Sequence, residues 1–323
     1  MRFLHTALIL VLVSSFGFAA FGFAADAAPA LLAAGRVDDA ISTLQQEISA
    51  SPNDAAAYNL LCRAYFSLSQ WDRGIAACEK AVFLDPNNSL YHLWLGRIYG
   101  EKADASSFFT AAGLAKKVRN QFEMAVQLSP SSVDARTDLA EFYLEAPGIV
   151  GGGQDKARAQ AATLARLDPA KAHWVNARIA EKKKDFTNAE REYRAAIEVS
   201  HGDANAWLNL ALFYKHTGRF DQMEGAINRA ASAQVNHPVV LVDAAETLIR
   251  TGRNFPGAIQ LLRRYLSSSS TVEEAPAFKA HYLLGTALEK QGDKLAAAQE
   301  YRTALSMAKG FSRAQEALDR VSR

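Results

Sequence analysis

Apolar and small residues recur along this chain at helical spacing, in segments of about 34 residues. Polar stretches containing proline close three of these segments: Asp85-Pro86-Asn87-Asn88, Leu128-Ser129-Pro130-Ser131 and Leu167-Asp168-Pro169-Ala170. Alanine stands at fixed offsets before each stretch, as in Ala77-Cys78-Glu79-Lys80-Ala81-Val82. Two helical patterns and a proline-marked turn in each period indicate stacked helix pairs, so a chain of this kind is predicted to be all-α.

One segment carries a recognisable consensus, Trp207-Leu208-Asn209-Leu210-Ala211-Leu212-Phe213-Tyr214 followed by Gly218-Arg219-Phe220. It resembles the tetratricopeptide repeat, which implies a right-handed superhelical solenoid of helix-turn-helix repeats. We expect this solenoid to occupy residues 25–323, with about seven full repeats. A degenerate opening repeat would supply mainly a second helix, Val37 to Ser49, and a capping helix would run from Arg313 to Val321.

The spacing of small and large residues predicts how the helices pack. Small residues, which let two helices approach closely, recur at Gly96, Ala140, Ala211 and Gly285 in the first helices of the repeats. Aromatic residues that would fill the space between repeats recur at Tyr65, Tyr99, Tyr143 and Tyr214. We therefore interpret these aromatic residues as core packing and not as a cofactor site.

Residues 1–24 have the layout of a secretory signal peptide. A basic start at Arg2 precedes an apolar run, and Gly22 and Ala24 supply the small residues before a cleavage site, with Gly17-Phe18-Ala19 as the alternative site. The alternative is an uncleaved membrane anchor, since Phe3 to Ala25 is nearly long enough to span a bilayer. The sequence thus predicts an exported protein, periplasmic or secreted.

The net charge and the absence of enzyme motifs limit the classes of function that the sequence supports. With 36 basic and 34 acidic residues the net charge is +2, which disfavours nucleic acid as a partner. No zinc-protease helix, hydrolase elbow or other enzyme signature is found, and no cofactor or metal is predicted. His92, His173 and His281 hold a position where the family places an aromatic residue, so we interpret them as packing groups. Glu273 and Glu274 are interpreted as part of a solvated loop.

Two repeats depart from the pattern. The turn after Tyr99 is lengthened over residues 100–118, which predicts a long helix pair with Phe108, Phe109 and Leu114 at its tip. If exposed, this tip would be an apolar interaction patch; the alternative is that it packs onto the stack. The run Pro147-Gly148-Ile149-Val150-Gly151-Gly152-Gly153 lacks the residues of a phosphate loop. It is predicted to be a structural turn with Asp155 capping the next helix, the alternative being an anion-binding nest.

The two cysteines, Cys62 and Cys78, are equidistant from the turn at Gln70. Antiparallel helices would place them level with each other, and an exported protein meets an oxidising compartment. A disulfide is therefore predicted, with two packed free thiols as the alternative.

The resemblance also implies a concave groove lined by first helices. Candidate groove residues are Asn59, Arg63, Arg97, Glu141, Arg178, Asn209 and Lys215. Because arginine forks suit carboxylates, an acidic or C-terminal peptide segment is the expected ligand. We predict a non-catalytic protein-interaction scaffold of the cell envelope. The alternatives are a periplasmic chaperone-like holder that uses the Phe108/Phe109 tip and, less favoured, an enzyme with an unrecognised groove site.

Overall fold

The computed structural model describes residues 27–233, 238–268 and 271–323. Within these ranges the chain forms seventeen α-helices and one short 3-10 helix, with no strand. The prediction of an all-α repeat solenoid is confirmed. The predicted signal peptide, residues 1–24, lies outside the described residues. In the part of the chain that is described, no helix is both long enough and apolar enough to cross a bilayer.

Helices alternate between the first and second positions of eight pairs, and a single helix follows the last pair. The first helices are α1 Ala27–Ala33, α3 Ala55–Ser67, α5 Ser89–Asp104, α7 Val133–Glu145, α9 Pro169–Lys182, α11 Ala204–His216, α13 Val239–Thr251 and α15 Ala277–Lys290. The second helices are α2 Val37–Ala50, α4 Trp71–Leu84, α6 Phe108–Leu128, α8 Gln154–Leu167, α10 Phe186–Val199, α12 Phe220–Ser232, α14 Phe255–Leu266 and α16 Lys294–Met307. The final helix is α17, Ser312–Val321.

Each proline-containing stretch ends the second helix of one repeat and leads into the first helix of the next repeat. Side-chain oxygens of Asn88, Ser132 and Asp168 accept hydrogen bonds at 3.1, 3.2 and 3.0 Å from backbone N–H groups two or three residues later. These bonds satisfy N–H groups that have no partner inside the helix. The local sequence therefore determines the repeat boundary, because a polar capping residue stands directly before each of these apolar helices.

Glycine in two first helices permits close contact with the second helix of the pair. A Cβ atom at Gly96 would lie 2.4 Å from the ring of Phe122, and one at Gly285 would lie 2.6 Å from the ring of Tyr301. Both rings are buried. The large aromatic residue of one helix thus occupies the space that glycine leaves on its neighbour.

The two ends of the solenoid meet and share one apolar cluster. Leu32 and Val37, from the first helix pair, are buried together with Phe278, Phe311 and residues of the last helices. Gly35 lies at this junction with a φ of +74°, and a Cβ atom there would stand 2.7 Å from the backbone nitrogen of Ala277. The chain therefore closes on itself, and the apolar surface of the opening helix pair is covered.

Polar contacts reinforce the junction between the ends. Arg63 on α3 forms a two-point ion pair with Glu273, in which Nε donates to Oε1 at 2.7 Å. The backbone N–H of Lys309 donates to the carboxylate of Asp38 at 2.8 Å. The interpretation of Glu273 as part of a solvated loop is wrong, because only 15% of its side chain is exposed. Its neighbour Glu274 is exposed.

Candidate functional site

The predicted groove arginines lie where side chains of neighbouring first helices meet, which we call the inner face. Arg97 donates from Nε to Asp138 on the next first helix at 2.6 Å. The guanidinium groups of Arg63 and Arg97 both lie 5.0 Å from the ring centroid of Trp94. Cation–π stacking and the ion pairs to Glu273 and Asp138 hold both arginines in place.

Arg178 is held in the same way. Its guanidinium donates to Glu145 of the preceding repeat at 2.8 Å and lies 3.6 Å from Glu181, and 17% of its side chain is exposed. The expectation of an acidic ligand depended on arginine forks open to a partner. Arg63, Arg97 and Arg178 each have a carboxylate partner from their own chain, so an acidic segment would have to displace an internal ion pair.

The other predicted groove residues have different surroundings. Asn59 is buried, with 2% of its surface exposed, and so belongs to the interior of the repeat. Asn209 and Lys215 are half-buried on α11. Burial lowers the pKa of Lys215, and the charge of Arg250 lowers it further. Glu141 is the one predicted groove residue with a largely open carboxylate, at 49% exposure.

Cys62 and Cys78 are joined by a disulfide that links α3 to α4, with their Cα atoms 5.2 Å apart. Both residues are fully buried. The linked helix pair also carries Arg63, Ala64 and Leu68, which contact the opposite end of the chain. The covalent link therefore lies in the repeat that closes the solenoid.

The two irregular segments of the sequence come together and enclose an open cleft of about 770 Å³. One wall is the α5–α6 hairpin, including Phe108, Ala111 and Val118. The other wall is the end of α7 and the turn that follows it, including Phe142 and Ile149. A cleft of this size, with largely apolar walls, has the dimensions of a binding pocket.

The tip of the long hairpin is only partly packed. Phe108 and Phe109 are 79% and 87% exposed, with their ring centroids 5.7 Å apart. Leu114, predicted to lie at the tip with them, is instead buried in the core of the N-terminal half. It lies about one and a half turns further along α6, which returns it to the stack. The exposed apolar patch is thus the phenylalanine pair alone.

The glycine-rich segment forms a tight turn with a short 3-10 helix, Gly148–Val150. Gly151 has a φ of +102°, and a Cβ atom at Gly152 would overlap the carbonyl oxygen of Ala146 at 1.7 Å. Helix α8 is capped by Gly153, so the prediction of Asp155 as its cap is wrong; Asp155 lies in the first turn instead. The turn leaves Ile149 89% exposed at the mouth of the cleft.

The backbone of this turn does not form an anion nest. The N–H groups of the three consecutive glycines donate to carbonyl oxygens of Gly148, Pro147 and Tyr143 at 3.0, 3.2 and 2.8 Å. An anion nest requires N–H groups that converge on a ligand. The structural-turn interpretation is therefore the one that fits.

The inner side of the cleft is acidic. Its lining includes one basic side chain, Arg97, and five carboxylates: Glu101, Asp104, Asp138, Glu141 and Glu145. Burial raises the pKa of Glu101, and the neighbouring Asp104 raises it further, while Lys279 and Arg313 oppose this rise. Burial also raises the pKa of Glu141, and the charge of Arg178 opposes it. Burial therefore disfavours the charged form of both Glu101 and Glu141.

Of the cleft residues, the groove prediction had identified only Arg97 and Glu141. The acids of α7 had a signal in the sequence, because Asp138, Glu141 and Glu145 follow Asp134 at intervals of four, three and four residues. That spacing places them on one face of α7. The apolar pair Ile149-Val150, between Pro147 and the glycine run, was a second signal.

The histidines predicted to be packing groups have partners within their own repeats. His92 Nδ1 lies 2.6 Å from Gln121, while His173 and His281 lie 2.8 and 2.6 Å from Glu192 and Glu300. Among the described residues, no group of three or more His, Cys, Asp or Glu side chains could hold a metal ion.

Comparison with known proteins supports the repeat assignment. The family model described as tetratricopeptide repeat matches residues 25–89, 175–236 and 242–310. A comparison with curated proteins finds no sequence that matches.

The fold is shared with a solved structure. The structure of yeast Tom70 matches with a TM-score of 0.53 at 15% identity, over 88% of this chain and 58% of that one. A tetratricopeptide repeat protein of Parabacteroides merdae matches with a TM-score of 0.48 at 14% identity, over 94% and 98% of the two chains. Proteins with these repeats bind protein or peptide partners, and their fold indicates an interaction scaffold. The chain described here belongs to the tetratricopeptide-repeat family.

Proposed function

We propose that this protein is a non-catalytic scaffold of the cell envelope that holds a segment of a partner protein in the cleft between the α5–α6 hairpin and the Pro147–Val150 turn. The observation that carries the proposal is that Phe108 on α6 and Ile149 in the turn after α7 line the same open cleft and are 79% and 89% exposed. Large apolar side chains left exposed around one cleft are typical of an interaction site. A bound segment would cover both.

An exported location is part of the proposal. It is supported by the signal-peptide pattern of residues 1–24 and by the disulfide between Cys62 and Cys78. Disulfides persist in oxidising compartments and are rare in the cytosol.

A chaperone-like holder is the second candidate, and Phe109 favours it. This side chain is 87% exposed at the tip. A holder of unfolded chains would bind many apolar segments with little preference, whereas a scaffold would bind one discrete partner. The number of partners therefore separates the two candidates.

The test is a pull-down from the exported fraction of the source cell with residues 25–323 as bait. The cleft variant is Phe108→Ser with Ile149→Ser, and the matched control is Phe83→Ser with Leu295→Ser. Phe83 and Leu295 are 77% and 83% exposed and lie outside the cleft. We expect a discrete partner that the cleft variant loses and the control retains. Equal capture by both variants would contradict the cleft as the binding site, and many captured proteins would favour the holder.

A further inference from the structure

The cleft combines an apolar surface with carboxylates on its inner side, so its chemistry selects among partners. Phe108 and Ile149 offer contact area to a large apolar side chain. Glu101, Asp104 and Glu141 lie on the inner side of the same cleft. A segment that filled the cleft would contact both kinds of surface at once.

Two of the five carboxylates have cationic partners of their own. Asp138 is paired with Arg97, and Glu145 accepts hydrogen bonds from Arg178 and Lys182 at 2.8 and 2.6 Å. Among the described residues, no ion pair within 4.0 Å involves Glu101 or Asp104, and Glu141 lies at that limit from Arg178. Lys279 and Arg313 act electrostatically on Glu101 but do not line the cleft. The side chains that line the cleft therefore carry a net negative charge.

The position of these acids in their helices adds to this charge. Glu101 and Asp104 stand in the last turn of α5 together with Lys102, and Glu145 ends α7 with Glu141 one turn before it. The C-terminal end of a helix already carries partial negative charge from its carbonyl groups, so acidic residues there are locally unfavourable. A cation bound in the cleft would relieve the repulsion at both helix ends. Local violations of this kind are expected at functional or strained sites.

We propose that the occupant of the cleft is a cationic amphipathic segment of a partner protein, with a large apolar residue against Phe108 and Ile149 and a lysine or arginine facing Glu101 and Glu141. This inference depends on the proposed function, since it names the partner chemistry of the same cleft. It also replaces the expectation of an acidic ligand, because the arginines that would receive such a ligand are already paired.

The test is fluorescence anisotropy with three labelled peptides of equal length. The first alternates lysine and leucine at helical spacing, the second replaces its lysines with glutamate, and the third replaces its leucines with serine. We expect the first peptide to bind at least about tenfold more tightly than either of the others, since each lacks one of the two contacts. Binding should weaken as salt rises from low to physiological concentration.

Variants assign the binding to the cleft. Each of Glu101→Gln and Glu141→Gln should weaken the first peptide roughly fivefold, the effect of losing one partly screened ion pair. The matched control, Glu316→Gln, removes the same charge from the exposed face of α17 and should leave affinity unchanged. A photo-crosslinking form of the peptide should attach within residues 97–150.

The outcomes separate this inference from the proposed function. If the glutamate peptide binds as tightly as the lysine peptide, and Phe108→Ser weakens both, the cleft is a binding site but the cationic partner is wrong. The inference is overturned if the lysine peptide crosslinks outside residues 97–150. It is also overturned if that peptide binds the two glutamine variants as tightly as it binds the wild-type protein. If none of the three peptides binds, it is also overturned, while the pull-down still decides the proposed function independently.

Discussion

At the residue scale, the tightest packing constraint in a repeat lies at Gly96 on α5. A Cβ atom there would stand 2.4 Å from the buried ring of Phe122. Gly96→Ala should destabilise the protein by about 1–2 kcal/mol, because overpacking outweighs the better helix propensity of alanine. Gly100→Ala, one turn later in the same helix, meets no atom within 4 Å. It should stabilise the protein by roughly 0.5–1 kcal/mol. Urea unfolding of both variants measures the two effects, and a shared sign would contradict the packing argument.

Asp243 on α13 gives a prediction about pH. Burial raises the pKa of its carboxyl group to about 6; Glu246 raises it as well, and Lys279 opposes both. Because the folded pKa lies above the unfolded value of about 3.9, the folded protein holds its proton more tightly and loses stability as pH rises from 4 through 6. Asp243→Asn removes this loss. The side chain is crowded by neighbouring protein atoms but keeps contact with solvent, so the effect is discounted. The substitution should stabilise the protein above pH 7 by on the order of 1 kcal/mol and leave it nearly unchanged at pH 4.

Thermal unfolding of wild type and Asp243→Asn at pH 4, 6 and 7.5 measures this difference. Glu316→Gln serves as a control for the change in net charge, since it removes one carboxylate from an exposed surface. A stability gain from Asp243→Asn that is the same at pH 4 and pH 7.5 would show that burial does not penalise the charge.

At the element scale, the pair α3–α4 is the one that is covalently joined. The chain contains two cysteines, and both are in this disulfide, so a reductant acts on one bond only. Closing a loop with a sequence separation of 16 should contribute about 3 kcal/mol. In equilibrium urea unfolding, the free energy of unfolding should therefore be about 3 kcal/mol lower in the presence of a phosphine reductant than in its absence. The variant Cys62→Ala with Cys78→Ala should give the same result in both conditions; a response of that variant to reductant would invalidate the assignment.

Individual elements could be predicted because their signals are local. The capping helix was predicted from Arg313 to Val321 and runs from Ser312, since its apolar residues recur on one face. The lengthened hairpin with Phe108 and Phe109 at its tip followed from the inserted residues, whereas the sequence left open whether that tip is exposed or packed. The position of Leu114 did not, because whether an apolar residue near a tip is exposed depends on how far the helix returns toward the stack.

The site was less predictable than the elements that form it. Sequence spacing places Arg97 and Arg178 on first helices but does not show that Asp138 and Glu145 of neighbouring repeats pair with them. Likewise, the cleft forms because residues 100–118 and 147–150 belong to adjacent repeats, so that their two irregular segments lie side by side. Each segment could be identified in the sequence by itself. The cleft between them could not, because it depends on how the two repeats stack.

At the scale of the whole molecule, the unexpected feature is closure of the solenoid. Arg63 and Glu273 are 210 residues apart, and Asp38 and Lys309 are 271 apart. Pairings at such separations leave no periodic trace in a sequence, whereas each repeat contacts its neighbours at a fixed offset. An open solenoid behaves as a one-dimensional array in which damage spreads to adjacent repeats only. A closed one has no free end, so its first and last repeats should lose stability together.

Phe311 tests this coupling. Its side chain is 2% exposed, its ring lies 5.1 Å from that of Phe278, and it shares a buried cluster with Leu32 and Val37. Phe311→Ala should cost about 3–5 kcal/mol. In hydrogen exchange measured by mass spectrometry, protection should fall in α1 and α2 as well as in α15–α17, with α7–α10 changed least.

The control for this experiment is Val321→Ala in α17, the helix that directly follows Phe311. Val321 is 9% exposed and belongs to the core cluster of the C-terminal half, not to the junction. Its truncation should reduce protection in α15–α17 without affecting α1 and α2. If Phe311→Ala gives the same local pattern as Val321→Ala, the two ends are in contact but not energetically coupled. If α1 and α2 lose protection with Phe311→Ala alone, the contacts across the junction make the first and last repeats one cooperative unit.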